Sequence, residues 1–294
     1  MEYIKSVALG IVEGITEWLP ISSTGHMILV DEFFTLKTAN GEAFTNFFLV
    51  AIQLGAILAV LMLYFKKIWP LHLKKTAVEP YFEGSVGGFK KLCNNYVYMD
   101  KVILWLKILV ASIPAAVLGI LFDDKIDEML TGDSRAYIVA STLVIYGVLF
   151  IIIENMKRTE SVLKTDDISY RLAFIIGLIQ CLALIPGTSR SGTTILGATL
   201  LGLSRTAAAE FSFFLAIPAM AGGSGIKLLD YLGAGHSFTT EELGVLAVGL
   251  IVAFVVSVLA IKFLMSYIRR HDFKIFGYYR IVLGIALLAY FLIK

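Results

Sequence analysis

Six apolar runs frame this sequence: Phe44 to Tyr64, Ile103 to Phe122, Ala136 to Ile153, Ala207 to Leu229, Leu243 to Leu264 and Ile275 to Leu292. Each is about 18 to 23 residues, the length a helix needs to cross the hydrocarbon core of a bilayer. Two further apolar regions, Tyr3 to Phe34 and Tyr170 to Leu201, are each a broken pair of short segments. That pattern predicts re-entrant helical hairpins, which return to the side they entered from. Unwound backbone at such depth is tolerated only when it is buried in protein or lines a wet cavity. The predicted fold class is an all-α polytopic membrane protein with six transmembrane helices and two re-entrant hairpins.

Both breaks carry polar residues where hydrocarbon solubility is otherwise the rule. The first reads Glu13-Gly-Ile-Thr-Glu17-Trp-Leu-Pro20-Ile-Ser22-Ser23-Thr24-Gly25-His26. Glu13 and Glu17 are four apart and share one helix face. Pro20 ends that helix, and Ser22 or Ser23 suits the N-cap of a second. The second break, Gln180-Cys-Leu-Ala-Leu-Ile-Pro186-Gly-Thr188-Ser189-Arg190-Ser191-Gly192-Thr193, lies about 166 residues on, counted from Pro20 to Pro186, and reads as an internal repeat. The repeat extends further, since Glu42-Ala-Phe-Thr-Asn-Phe-Phe-Leu-Val-Ala recurs in outline as Ala209-Glu210-Phe-Ser-Phe-Phe-Leu-Ala-Ile-Pro218.

Residues 1–294 then form a single integral membrane domain of two halves, about 1–155 and about 168–294, each one hairpin plus three spans. Three crossings is odd, so the halves enter the membrane from opposite sides, as in inverted-repeat transporters whose broken helices meet at the midplane. The two breaks are expected to meet and make one site. The first hairpin opens outward and the second inward, with both termini outside the cytoplasm.

Composition fixes the class and the loop charges test the parity. With 294 residues, 58% hydrophobic, 16% charged and a mean hydropathy of +0.82, the chain is too apolar for a soluble domain and too long for a single anchor. The net charge of +2 says little as a total and does not suggest nucleic acid. Its distribution says more. If both motif regions are re-entrant, one side collects Lys66, Lys67, Lys74, Lys75, Lys90, Lys91, Lys101, Lys157, Arg158, Lys164, Arg171, Arg205, Lys262, Arg269, Arg270, Lys274 and Arg280. The other keeps Lys5, Lys37, Lys125, Arg135, Lys227 and Lys294, with Lys107 and Arg190 inside membrane segments. Seventeen against six is a positive-inside bias, which a single span in the second region would destroy by sending Lys262 to Arg280 to the opposite side. The first region is read as re-entrant because it repeats the second. The cytoplasmic loop from Leu71 to Asp100, with Glu79-Pro80, Gly84, Gly87 and Gly88, reads as partly irregular and holds no separate domain. Cys93 and Cys181 have no zinc-like companions, so neither a disulfide nor a metal thiolate is expected. The N-terminal segment is read as mature protein rather than signal peptide, because Glu13 and Glu17 interrupt its apolar region and no small-residue cleavage site follows.

Acids on an apolar helix mark a pathway or site, although Glu13 and Glu17 also have a reading as a solvated face near the membrane surface. Two carboxylates one turn apart repel unless a cation sits between them. A divalent hard cation, magnesium or calcium, is the simplest partner, its shell completed by a phosphorylated substrate. Ser22, Ser23 and Thr24 have ordinary work as helix caps. Their position beside Gly25 and His26, at a helix N-terminus whose amides and dipole favour anions, suits a phosphate. His26 falls in an apolar segment, whereas His72, His236 and His271 fall in loops. Lying three residues after Ser23, it is a candidate base for that hydroxyl, against the bland reading of a satisfied core histidine. Arg190 is a poor choice at the midplane unless it clamps an anion or pairs with Glu17 in the empty protein. Thr188, Ser189, Ser191, Gly192 and Thr193 add hydroxyl and amide donors around it. Gln53, Glu210 and Ser212 are explained by interhelical hydrogen bonds and rank behind these.

Glu13-Gly-x-Thr-Glu17-x-Leu-Pro20-x-Ser-Ser23-Thr-Gly-His26, together with Pro186-Gly-x-Ser189-Arg190-Ser-Gly192, resembles the bacterial undecaprenyl-diphosphate phosphatase family linked to bacitracin resistance. The similarity covers essentially the whole chain, including Gln53-Leu-Gly and Glu210-Phe-Ser-Phe. It implies hydrolysis of a polyprenyl diphosphate lipid, undecaprenyl diphosphate, to the monophosphate and inorganic phosphate. The site would face the periplasm or cell exterior of the bacterial plasma membrane. The resemblance also implies a divalent cation and a functional set of Glu13, Glu17, Ser23, His26 and Arg190, with Gln53 in the binding region. The expected course makes Ser23 the nucleophile and His26 its base, with direct attack by His26 or by a metal-bound water as the variant. A transporter or flippase of the same architecture would use the helix termini and Arg190 but has no evident use for Ser23 beside His26 and two carboxylates. A purely structural scaffold would leave the buried charges without purpose. Oligomeric state is left open by the sequence.

Overall fold

A computed structural model of the chain describes residues 1–34, 36–72, 81, 88–122, 125–126, 128–129, 132 and 134–293. Residues 73–80 and 82–87 of the 71–100 loop, with Lys74, Lys75, Glu79, Pro80, Gly84 and Gly87, lie outside these residues, as does Lys294. The described residues fold into α1 (Glu2–Thr16), α2 (Ser23–Phe34), α3 (Gly41–Ala51), α4 (Gln53–Leu63), α5 (Phe65–Ile68), α6 (Gly88–Tyr96), α7 (Met99–Leu121), α8 (Arg135–Asn155), α9 (Tyr170–Gln180), α10 (Arg190–Leu200), α11 (Arg205–Gly233), α12 (Thr240–Ile268) and α13 (Lys274–Ile293). Single 3-10 turns lie at Thr165–Asp167 and Cys181–Leu184, and there is no strand among the described residues.

Among the described residues, six helices are long and apolar enough to cross a membrane: Gly41–Leu63, which is α3 and α4 taken together, and α7, α8, α11, α12 and α13. Every apolar run predicted to span coincides with one of them apart from its end residues. The short helices fall where the sequence is broken. α1 stops at Thr16, four residues before Pro20, and α2 starts at Ser23; α9 and its 3-10 extension stop at Leu184, before Pro186, and α10 starts at Arg190. A proline removes a helix donor and disfavours the helical region for the residue before it, and although α7 and α11 run through Pro114 and Pro218, both breaks fall at one.

Helix pairs come together over small residues. α8 lies along α13, where a Cβ on Gly147 would come 2.7 Å from the Gly277 carbonyl oxygen and one on Gly277 would come 2.7 Å from that of Gly147. Such close backbone approach is what small residues permit between membrane helices. α1 lies on α12, with Gly10 against the Gly249 carbonyl, and α9 lies on α7, with Gly177 against Ala111. α4 contacts α12, and α11 contacts α7, α3 and α4. Of the short helices, α10 is buried almost throughout, whereas α1 and α9 pack one face on the long helices and leave residues such as Ile4 and Ile11, or Phe174 and Leu178, exposed.

A buried glutamate stitches each end. At the end carrying most of the basic residues, Glu154 of α8 accepts from Arg205 Nη2 at 2.6 Å and Arg158 Nη2 at 3.4 Å, and from the Phe273 amide at 3.4 Å. Beside it, Lys67 Nζ reaches Glu210 Oε2 at 2.7 Å. At the other end, Glu242 closes a capping box with Thr239 and accepts from the Asn40 amide at 3.0 Å and its side-chain nitrogen at 2.8 Å. Buried carboxylates with several donors cost far less than bare ones. Both ends of the bundle are pinned in this way.

Candidate active site

The two breaks meet. Ser22 and Ser189 are the only non-glycine residues with positive φ among the described ones, at 73° and 70°. Each stands before the first residue of a helix and accepts a backbone amide three residues on, Gly25 N at 3.4 Å for Ser22 and Gly192 N at 3.1 Å for Ser189. The pairing of Ser22 with Ser189 runs one residue longer than the count between the prolines, because the second break holds one more residue between proline and serine. It sets Ser23 and Arg190 in equivalent places, each the first residue of its helix.

Glu17 joins those two residues. Its Oε2 accepts the Ser23 hydroxyl at 3.0 Å and its Oε1 accepts Arg190 Nη2 at 3.0 Å. Arg190 also donates through Nη1 to the Ser212 carbonyl of α11 at 2.6 Å, and its guanidinium lies 6.0 Å from the Trp18 ring. Its Nε is buried without a partner. Ser191 fastens the second break to the first by donating to the Glu17 carbonyl at 3.1 Å and the Leu19 carbonyl at 3.5 Å. Thr194 and Ser212 hydroxyls lie 2.6 Å apart behind Arg190.

Glu13, on the same face of α1 one turn earlier, is 1% exposed and its Oε1 has no hydrogen-bond partner. A buried carboxylate oxygen without a donor is costly. Thr193 Oγ1 is likewise buried and unpartnered. The other expected residues are placed as follows. Thr24 and Gly25 form the first turn of α2, and the Thr188 hydroxyl is committed to the Leu182 and Ile185 carbonyls of its own break at 3.0 and 2.7 Å. Ser189 Oγ and Ser191 Oγ lie 3.2 Å apart. Gln53 is half-buried at the start of α4 and makes no hydrogen bond to these groups.

Two expectations need correction. His26 does not pair with Ser23: its Nδ1 lies 2.7 Å from the Ser22 carbonyl and its Nε2 lies 2.7 Å from the Tyr279 hydroxyl. A carbonyl only accepts, so Nδ1 carries a proton, and in the neutral ring Nε2 then accepts from the Tyr279 hydroxyl. Helix geometry explains the miss, because a side chain at the first turn leans back toward the N-terminus and meets the carbonyl four residues earlier. Ser23 finds Glu17 instead. The second correction concerns Arg280, counted above with the loop cations. It is fully buried, donating Nη1 to the Pro20 carbonyl at 3.3 Å and Nη2 to the Gly187 and Thr188 carbonyls at 2.9 Å each, with Tyr146 5.4 Å from its Cζ. Removing it leaves sixteen against six.

Sequence reading missed Tyr279 and Arg280 as part of the site. A signal existed, since Arg280 lies inside the apolar run 275–292, and an ionisable residue within a span normally faces the protein interior. Nothing local says which interior carbonyls it will find.

With the geometry in hand, comparison with known proteins is direct. Residues 6–286 match the family model described as Bacitracin resistance protein BacA. The chain is 53% identical to the undecaprenyl-diphosphatase of Enterococcus faecalis over 290 residues, which is 98% of this chain and 96% of that one. It is 52% identical to undecaprenyl-diphosphatase 1 of Clostridioides difficile strain 630 over 291 residues, covering 99% and 97%. Identity to the undecaprenyl-diphosphatase of Streptococcus thermophilus is 47% over 296 residues, covering 100% and 95%.

Proposed function

The chain belongs to the bacitracin resistance protein BacA family, and on that footing we propose that it is a multi-pass membrane phosphatase hydrolysing undecaprenyl diphosphate to the monophosphate and inorganic phosphate. The observation that carries the mechanism is the chain Ser23, Glu17, Arg190, which joins a hydroxyl, a carboxylate and a guanidinium at two helix N-termini through bonds of 3.0 Å. Helix N-termini attract anions, and an arginine matches phosphate oxygens. In phosphoryl transfer, catalysis is largely positioning and charge neutralisation.

Arg190 exchanges Glu17 for the terminal phosphate, its free Nε adding a donor. Ser23 Oγ attacks that phosphorus and its proton passes to Glu17 Oε2. The bond from phosphorus to the bridging oxygen breaks, releasing undecaprenyl phosphate, and water then hydrolyses the phosphoserine to free inorganic phosphate. Glu17 is the base here because it holds the Ser23 proton, whereas His26, neutral and bonded to Tyr279, orients the first turn of α2.

The family resemblance implies a divalent cation. Among the described residues no cluster of three or more His, Cys, Asp or Glu converges. Glu13, with its unpartnered Oε1, and Glu17 nevertheless offer a hard oxygen pair that fits magnesium or calcium when diphosphate oxygens and water complete the shell. Bound there, the cation would neutralise charge on the diphosphate.

The two hairpins are re-entrant and the halves form an inverted repeat in this reading. The twin positive-φ serines support it, as does the matched packing of α1 on α12 with α9 on α7, and of α4 on α12 with α11 on α7. The site faces the cell exterior, both termini lie outside, and expression of the protein raises bacitracin resistance. Phosphate release from the detergent-solubilised chain tests the reaction, since no transport registers in detergent. Absence of release with metal supplied would overturn it in favour of an anion or lipid transporter. Rapid-quench trapping with substrate labelled in its terminal phosphate tests the route: an active enzyme with no label on Ser23 sinks the serine step.

A further inference from the structure

A cavity of about 590 Å³ lies between the C-terminal halves of α7 and α11, floored by the last residues of α9 and the 3-10 turn after it. Its walls are mostly small: Ala116 and Gly119 from α7, Gly222 and Gly223 from α11. Small residues facing one another normally let membrane helices close up. Here the helices stay apart, and a Cβ built on Gly222 or Gly223 would meet nothing within 4 Å. At the floor sits Gln180, 3% exposed, its Oε1 without a partner. An unpartnered amide in an apolar cavity costs free energy unless a ligand or water meets it.

The cavity is tied to the site through shared elements. Leu184, in its floor, comes just before the Pro186 break, and α11 carries both Ser212, whose carbonyl holds Arg190, and the glycine wall. The rim is apolar and exposed, with Ile120 at 72% and Ile226 at 48%, as suits helices that cross a bilayer. We propose that this cavity is the isoprenoid subsite of the enzyme: the first isoprene units of the substrate lie between α7 and α11, with Gln180 beside the end nearest the diphosphate. Its volume is that of a drug-sized ligand site, so the rest of a long prenyl chain stays in the bilayer. This assignment rests on the diphosphatase reading but fails separately from it.

The full-length protein is assayed in detergent with a polyprenyl diphosphate and with methyl diphosphate, which has no isoprene unit to seat. Gly222→Leu and Gly223→Leu fill the cavity where the backbone has room. Each is expected to raise KM for the polyprenyl substrate about tenfold or more, the scale of a few methylenes kept out of an apolar site, and to change kcat and methyl diphosphate hydrolysis far less. Gly225→Leu, whose Cβ also meets nothing within 4 Å but which does not line the cavity, should leave both substrates unaffected. Equal effects on both substrates, or none on either, overturn the subsite while leaving the diphosphatase reading intact. A binding readout removes dependence on turnover: a diazirine placed on the first isoprene units of an isoprenyl diphosphate should label 112–120 and 218–226. Labelling confined to other helices overturns the proposal.

Discussion

Arg280 donates to carbonyls of both breaks, so its charge does at the residue scale what no apolar side chain in that position can. Hydrogen bonds from a charged group contribute about 1.5–3 kcal/mol each. Arg280→Gln is therefore expected to lower the thermal midpoint in detergent and to depress hydrolysis together, because both breaks lose an anchor; a variant of wild-type stability would refute this role. Among the polar groups of the site, the geometry ranks Glu17 above His26. Glu17→Gln is expected to reduce kcat about 10²-fold or more, the usual reach of a general base. His26→Gln and Tyr279→Phe should each cost about tenfold at most, the scale of one neutral hydrogen bond. Single-turnover rates distinguish them, and a His26 loss as large as that of Glu17 would restore the histidine as base. Chelation is expected to stop phosphate release and added Mg2+ or Ca2+ to restore it, with Glu13→Gln needing more metal for half-maximal rate. Sequence reading found these chemical groups because charges are rare in apolar segments. It mispaired Ser23 with His26 because nearness in sequence is not nearness of side chains.

At the scale of the element, each break joins a proline stop to a serine start. Ser22 and Ser189 hold positive φ, which costs a non-glycine residue about 1–2 kcal/mol, while their hydroxyls cap the helix that follows. Glycine relieves the strain and loses little of the cap; alanine keeps the strain and loses it all. Ser189→Gly is thus expected to be neutral within about 1 kcal/mol, and Ser189→Ala to destabilise by about 1 kcal/mol, read from thermal midpoints. An equal loss from both would mean that the hydroxyl, not the backbone, decides. These elements were legible because proline, serine and glycine act over a few residues. The choice of Ser22 over Ser23 as cap, and the discontinuity at Ile52 between α3 and α4, depend on packing that no local signal carries.

Over the whole molecule, the long helices fit together through backbone contacts at glycine. Gly147→Ala drives a Cβ to 2.7 Å from the Gly277 carbonyl and is expected to destabilise by about 1–3 kcal/mol, the usual cost of overpacking. Gly225→Ala, with open space around it, should be silent by the same thermal assay. The chain by itself determined how many helices are long and apolar enough to cross, where the two shorter pairs break, and which polar residues fall inside apolar segments. Length, hydropathy, proline and misplaced charge are all properties of short stretches, and sequence displays them directly. Only the tertiary structure decided that Glu17 stands between Ser23 and Arg190, that His26 turns to Tyr279, and that Arg280 leaves the basic loops for the interior. Each of those is a contact between residues far apart in the chain or a side-chain direction set by packing, and such a choice exists only once the helices have met around both breaks.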